Sequence, residues 1–381
     1  MLINHNNSRS LHIVLCMDVN VLLGAGTLIT SVIHNNPNLN LTFHLFSTTD
    51  DLTKIRSAIA PRIQKTQSPN KANQENAASL FGSVCIEYYD ITKFEELALV
   101  EEKLNKIMTK ANRNLTVASL YRLLVPHNIS IDSDRLLYID TDVLCNGDLS
   151  ELCDIDIQNH VVAAISDWDE QFEKAKRSLL GFDGDGYFNG GVLLINLKKW
   201  IQENISEKAL DYVLKYQPKQ IDQDALNVAC ANKVYWLGKA YNSITRVTQE
   251  AVNDDTALLH YTGADKPWKP WLTEDRKPVE LYRKYMRMFE PDNRKWFNAG
   301  SCAQPNITKN EKGNDTRQAR QNLTDQQVAS TLWSPSSVHD FKYMARLYWR
   351  NKCYMKSISA RLQHIKLKYK RLGLWGIITC R

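Results

Sequence analysis

The chain has 381 residues, 43% of them hydrophobic and 24% charged, a composition that excludes a disordered class and leaves room for one large globular domain with an appendage. Its formal charge of +6 is unevenly spread: residues 341–381 hold 11 Lys and Arg and no Asp or Glu, while residues 1–340 carry 37 basic against 42 acidic residues, a net of −5. The mildly acidic body argues against a nucleic-acid-binding module, and the basic excess marks the C-terminal segment as the part with an anionic partner.

Strands and helices are predicted to alternate through the first two-thirds. Leu11–Met17 is a continuous apolar run, read as a buried strand, and a helix follows over Leu22–His34. Leu41–Ser47 is a second strand and Asp50–Ile59 a second helix. Residues 64–77 are polar and turn-rich. Val84–Tyr89 reads as a strand, then Phe94–Lys110 and Val117–Pro126 as helices, the second ended by its proline. Leu136–Ile139, Val161–Ile165 and Val192–Ile195 are further strands. Lys198–Tyr216 reads as one helix, Asp222–Ala231 as another with acidic residues in its first turn, and Ala257–Tyr261 as a strand. This alternation predicts an α/β fold with a mostly parallel sheet. Residues 1–297 form the expected catalytic domain. Residues 298–336 form a polar linker and residues 337–381 a basic amphipathic helical tail.

The eight cysteines are scattered without a C-x-x-C pair, which predicts free thiols in a reducing compartment. The first residues show no basic segment followed by an apolar core, so no secretory signal is expected. No apolar run approaches the length of a membrane span.

The chemistry concentrates in four short stretches. In the first, the apolar run Leu136–Ile139 ends in Asp140-Thr141-Asp142. Residues i and i+2 of a strand point to one side, so the two carboxylates can aim at one point past a strand end, where open α/β sheets bind ligands. Two hard oxygen donors there suit a divalent cation, and such a cation suits a diphosphate. In the second, Tyr187-Phe188-Asn189-Gly190-Gly191 precedes the strand Val192–Ile195, and its glycines allow close backbone approach to a ligand. The third, Asp222-Gln223-Asp224, opens a helix, either as simple capping or as a carboxylate and an amide presented to a pocket. In the fourth, His260 ends a short strand and is followed by Gly263, Lys266 and Trp268. An imidazole joined to two carboxylates suits manganese. The Gly263 amide and Lys266 ammonium can meet phosphate oxygens.

In this order the four stretches resemble the retaining glycosyltransferases of family 8. Met17-Asp18-Val19-Asn20-Val21-Leu22-Leu23-Gly24-Ala25-Gly26 is similar to that family's first nucleotide-contacting loop. The resemblance covers residues 11–290. Within the family, the Gly24-Ala25-Gly26 variant and the basic C-terminus look most like bacterial lipopolysaccharide core galactosyl- and glucosyltransferases. It implies a single A-type (Rossmann-like) glycosyltransferase domain that moves galactose or glucose from a UDP-sugar to a lipopolysaccharide core acceptor. Asp140, Asp142 and His260 would hold Mn²⁺ or Mg²⁺ against the diphosphate. Thr141 lies between the two aspartates in this donor-binding turn. Asp18 and Asn20 would contact the uridine, Gly263 and Lys266 the phosphates, and Arg122 the donor. Asp167, Asn189 and Asp222 would hold sugar hydroxyls, with Gln223 near the anomeric carbon. Two positions depart from the pattern: Val21 stands where an aromatic residue is usual, and Gly190 where alanine is commoner.

A UDP-sugar transferase acting on another glycan or lipid-linked acceptor is one alternative; a sugar-nucleotide hydrolase or a nucleotidyltransferase, which could share an acidic metal pair, is another. Met355, Ile358, Leu362, Ile365, Tyr369 and Leu372 form one apolar stripe at helical spacing, with Lys and Arg on the remaining surface. That pattern suits a helix lying on anionic lipid, or a stripe packed on the catalytic domain. With a lipid-linked acceptor, it predicts a cytoplasmic protein peripheral to the inner face of the bacterial inner membrane.

Overall fold

A computed structural model describes residues 9–66, 82–97, 102, 117–167, 170–249, 251–263, 265–269, 272 and 274–290. The polar loop, most of the Phe94–Lys110 helix, the linker and the basic tail expected from the sequence lie outside the described residues.

Among the described residues there are ten strands: β1 (Ser10–Cys16), β2 (Asn40–Ser47), β3 (Val84–Asp90), β4 (Arg135–Ile139), β5 (Val143–Cys145), β6 (Val162–Ala164), β7 (Val192–Asn196), β8 (Val234–Trp236), β9 (Ser243–Ile244) and β10 (Leu258–His260). Seven form one sheet in the order β3-β2-β1-β4-β7-β6-β8, and three form a second in the order β5-β10-β9. β3, β2, β1 and β4 run parallel. β7 is antiparallel to both of its neighbours, and β6 pairs with β8 in parallel. The sheet is therefore mixed and rich in parallel pairs, as the expected glycosyltransferase fold requires.

The central strands are apolar because both faces of the sheet are covered. Ile13, Val14, Leu15, Leu45, Leu137, Ile139 and Leu194 are fully buried. Helix Leu22–Asn35 approaches the rest of the molecule closely through its two glycines. A Cβ on Gly24 would lie 2.5 Å from the Thr141 carbonyl oxygen, and one on Gly26 would fall 2.2 Å from the Phe289 ring. Gly24 thus lets the helix touch the Asp140–Asp142 turn. Gly26 makes room for helix Lys277–Phe289, which packs Tyr282, Tyr285, Met286 and Phe289 inward. Arg62 and Glu290 pair beside this contact. The five described cysteines are free.

Some elements differ from the sequence reading. Residues 198–216 form two helices, Leu197–Gln202 and Ile205–Tyr216, because Asn204 takes a left-handed conformation (φ 52°) between them. Asn196 caps the first by accepting from the Lys199 amide at 3.0 Å. Pro126 lies inside helix Tyr121–Asn128 and does not end it; residues 117–120 form a 3₁₀ turn before it, so Pro126 falls in the second turn of the α-helix. The helices Glu170–Leu180 and Lys277–Phe289 and the short strands β5, β8 and β9 were not expected.

Candidate functional site

β4 delivers Asp140 to the C-terminal edge of the large sheet, where β1 also delivers Asp18. The chain then turns: the Asp140 amide donates to the Gly191 carbonyl at 2.8 Å, and the Val143 amide donates back to the Asp140 carbonyl at 3.1 Å. β5 carries the chain onward into the second sheet, beside β10. Asp140 and Asp142 converge because this turn folds them together, not through the strand alternation expected from the sequence. β10 ends in His260, paired with Val143. Ligand atoms of Asp140, Asp142 and His260 all lie within 4.8 Å of one another, the only such group of three among the described residues.

The imidazole is set by Asn242, a residue that no motif singled out. His260 Nδ1 lies 3.0 Å from Asn242 Oδ1, while Nε2 faces Asp142 at 3.3 Å and Asp140 at 4.0 Å. Asn242 Nδ2 donates to Asn189 Oδ1 at 2.9 Å, and that oxygen also accepts from the Gly191 amide. The Asn242 amide is therefore oriented with its oxygen toward His260. This fixes a proton on Nδ1 and turns Nε2 toward the carboxylates. Gly191 leaves the space for this arrangement, since a Cβ there would sit 2.2 Å from His260 Cε1 and 3.0 Å from Asp140 Oδ2.

Lys266 pairs with Asp142 and donates to the Tyr261 carbonyl at 2.7 Å. Burial alone would raise the Asp142 carboxyl, but Lys266 and His260 outweigh it and hold the group well below the usual carboxylate range. Gly263, in the turn before Lys266, has φ +92°, a conformation that favours glycine.

Arg122 joins this centre to a second cluster. Its Nη2 meets Asp140 Oδ1 at 2.7 Å, its Nε meets Asp222 Oδ2 at 3.0 Å, and its Nη1 donates to the Gly190 carbonyl at 2.8 Å. The guanidinium also lies 4.6 Å from the centre of the Tyr138 ring. Burial opposes the Arg122 charge, yet the flanking carboxylates, Asp140 foremost, raise its pKa further. Burial lifts the Asp222 carboxyl above its ordinary value, against the pull of Arg122.

The second cluster forms where residues 165–167 run beside residues 187–189. The Asp167 amide donates to the Tyr187 carbonyl and the Asn189 amide to the Ile165 carbonyl. Asp167 accepts from Asn189 Nδ2 at 2.7 Å and from Gln223 Nε2 at 3.0 Å, and Gln223 Oε1 accepts from the Gly190 amide at 3.0 Å. Asn227 clamps the helix carrying Gln223 to this segment, bonding both the amide and the carbonyl of Phe188.

Nine sequence-selected residues therefore meet in one contiguous network: Arg122, Asp140, Asp142, Asp167, Asn189, Asp222, Gln223, His260 and Lys266. Asp18, Asn20 and Thr141 lie on the adjoining loops. Asp18 is half-buried, caps a 3₁₀ turn through the Asn20 amide at 2.8 Å, and leaves Asn20 exposed. Asn242, Tyr187, Asp224 and Lys176 complete the network. Asn242 and Lys176 are polar positions whose partners lie far away in sequence, so local spacing carried no signal for their roles.

The family model for glycosyl transferase family 8 matches residues 12–272. The chain is 31% identical over 288 residues to a lipopolysaccharide 1,2-glucosyltransferase of Escherichia coli, covering 71% of this chain and 76% of that one. It is 29% identical over 282 residues to a lipopolysaccharide 1,3-galactosyltransferase of Salmonella typhimurium, covering 70% and 75%. The crystal structure of the galactosyltransferase LgtC with donor and acceptor sugar analogs superimposes with a TM-score of 0.53 at 23% identity, covering 72% of this chain and 95% of that one, a likeness of fold. With a family model spanning the described body and the network just built, the chain belongs to glycosyl transferase family 8.

Proposed function

We propose that the chain transfers a hexose, galactose or glucose, from a UDP-sugar to the core oligosaccharide of lipopolysaccharide, with retention at the anomeric carbon. Family membership and the named lipopolysaccharide galactosyl- and glucosyltransferase relatives support hexosyl transfer in core synthesis. The observation that carries the donor assignment is the span of Arg122 between Asp140 at one end and Asp222 at the other. A cation-and-phosphate end and a sugar end are thereby held in one rigid frame.

The donor set fits a divalent cation. Two carboxylates and the His260 Nε2 that faces them lie within reach of one ion, and this O,O,N combination suits Mn²⁺ or Mg²⁺. Bound there, the ion would supply positive charge opposite the leaving diphosphate. Lys266 and the Gly263 amide bind phosphate oxygens on the same side, so the lysine steadies the leaving group. Asp18 and Asn20 contact the uridine. Asp167, Asn189 and Asp222 orient the sugar hydroxyls, and Gln223 lies beneath the ring. A neutral carboxamide is a poor nucleophile, which disfavours a covalent glycosyl-enzyme intermediate. The acceptor hydroxyl instead enters on the face that UDP leaves, and a phosphate oxygen of the leaving group takes its proton.

A panel of UDP-hexoses, assayed with Mn²⁺, Mg²⁺ or EDTA, tests this reading. Turnover that requires metal and falls at least a hundredfold in Asp142→Asn is expected, on the order of the loss of a directly acting electrostatic group. Metal-independent turnover, or full activity in the variant, removes it. No helix among the described residues is long and apolar enough to cross a membrane. The basic tail of residues 337–381, with its apolar stripe, extends the proposal to a peripheral contact with an anionic leaflet on the cytoplasmic side. Vesicle flotation that is lost on deleting residues 341–381 supports that contact, and unchanged flotation removes it.

A further inference from the structure

Behind Gln223 runs a buried chain of polar groups with no role in the scheme above. Asp224 is 1% exposed and Tyr187 fully buried. Asp224 Oδ1 accepts from the Lys176 ammonium at 2.8 Å and from the Tyr187 hydroxyl at 2.6 Å, while Oδ2 accepts from the Gln220 amide at 2.8 Å. Lys176 comes from helix Glu170–Leu180, a separate segment whose ammonium also lies 5.2 Å from the Tyr187 ring centre. Its charge compensates the carboxylate in the interior.

Proton counting then fixes direction. A carboxylate only accepts, and Tyr187 has one hydroxyl proton. The short bond to charged Asp224 takes that proton in preference to Gln220 Oε1 at 2.9 Å. The Tyr187 oxygen is left with lone pairs, and Gln223 Nε2 donates to it at 3.2 Å. The same amino group donates to Asp167 Oδ2, and at the other end Gln223 Oε1 accepts from the Gly190 amide. Turned over, the carboxamide would set its oxygen against an aspartate and a tyrosine lone pair, and its amino group against an amide N–H.

We propose that Lys176, Asp224 and Tyr187 are positioning residues that together lock the Gln223 carboxamide in one orientation, oxygen toward Gly190 and amino group toward Asp167. The proposal rests on the reading that Gln223 faces the donor sugar.

The test uses the full chain, Mn²⁺ and whichever of UDP-galactose and UDP-glucose the wild type turns over, with Tyr187→Phe, Gln223→Ala and the double variant. Loss of orientation at a reacting centre typically costs about ten- to a hundredfold. Tyr187→Phe should lower kcat by that amount, with KM and Mn²⁺ affinity within about twofold of wild type. In the Gln223→Ala background the same substitution should change kcat less than about twofold, because its effect runs through the missing amide. A Tyr187→Phe variant with wild-type kcat, or an equal loss in both backgrounds, overturns the proposal. If Tyr187→Phe does not fold, Lys176→Met is measured in the same cycle with the same criteria. A wild type that turns over no UDP-hexose removes the functional reading, and the proposal with it. That result is distinct from a working wild type matched by Tyr187→Phe.

Discussion

Two adjacent glycines should respond in opposite ways to the same added methyl group. In Gly191→Ala the new Cβ would lie 2.2 Å from His260 Cε1, 2.7 Å from Nδ1 and 3.0 Å from Asp140 Oδ2. Reaching an ordinary carbon–carbon contact of about 3.5 Å requires the ring to move by about 1.3 Å. Asn242 holds that ring through Nδ1, and the imidazole is buried, so the movement is resisted. Overpacking of this kind costs about 1–3 kcal/mol. A displaced imidazole should weaken Mn²⁺ binding by about ten- to a hundredfold, the usual cost of misplacing a ligand's support. At Gly190 the nearest atoms to a Cβ are Arg122 Nη1 at 3.6 Å and Gln223 Cβ and Cγ at 3.7 Å, and the residue is not among those with positive φ. Gly190→Ala should therefore keep wild-type metal affinity and gain about 0.4–1 kcal/mol from a stiffer unfolded chain. Calorimetric Mn²⁺ titration and urea unfolding of both variants measure this contrast. A folded Gly191→Ala that binds Mn²⁺ as wild type does, or a Gly190→Ala that loses as much, refutes the reasoning.

Three further outcomes are expected. Asn242→Ala should cost about ten- to a hundredfold in Mn²⁺ affinity by releasing the His260 tautomer, read by the same titration; undiminished affinity means that Asn242 is not the support described. Phe289→Ala should destabilise the fold by about 3–5 kcal/mol, since that fully buried ring packs against Gly26; urea midpoints report it, and a loss below about 1 kcal/mol would show that the helix is not anchored there. Burial pushes the His44 imidazole down to about 4 from 6.5, so between these values the unfolded chain binds a proton that the folded chain does not. Stability is therefore fully present above pH 6.5 and falls as the pH drops toward 4. His44→Gln should flatten the wild-type pH slope of stability across that window, and an unaltered slope assigns it to other groups.

The site was legible where ligands cluster in short runs. Asp140 and Asp142 stand one residue apart at the end of an apolar run, and Lys266 follows His260 by six positions. Their types and spacing announce a charged pocket in the sequence itself. Antiparallel β7 was not legible, because a buried strand reads as the same apolar run in either direction. Nor was the break at Asn204, where one left-handed residue interrupts an otherwise helical stretch. Asn242 and Lys176 carry no local pattern at all. Their roles exist only because the fold brings them to His260 and Asp224, and the segments concerned are separated by 18 and 48 positions.

The Asp140–Asp142 turn is also the seam where the chain passes from one sheet to the other. Asp140 hangs from the large sheet through β4, while His260 hangs from the small one through β10. Anything gripped by both is a mechanical rivet as well as a chemical partner. Each binding event stiffens the joint between the sheets, and each release returns slack to it. Resistance to unfolding and readiness to bind are therefore two readings of one joint, so ligand-induced protection should be greatest in the three short strands of the small sheet.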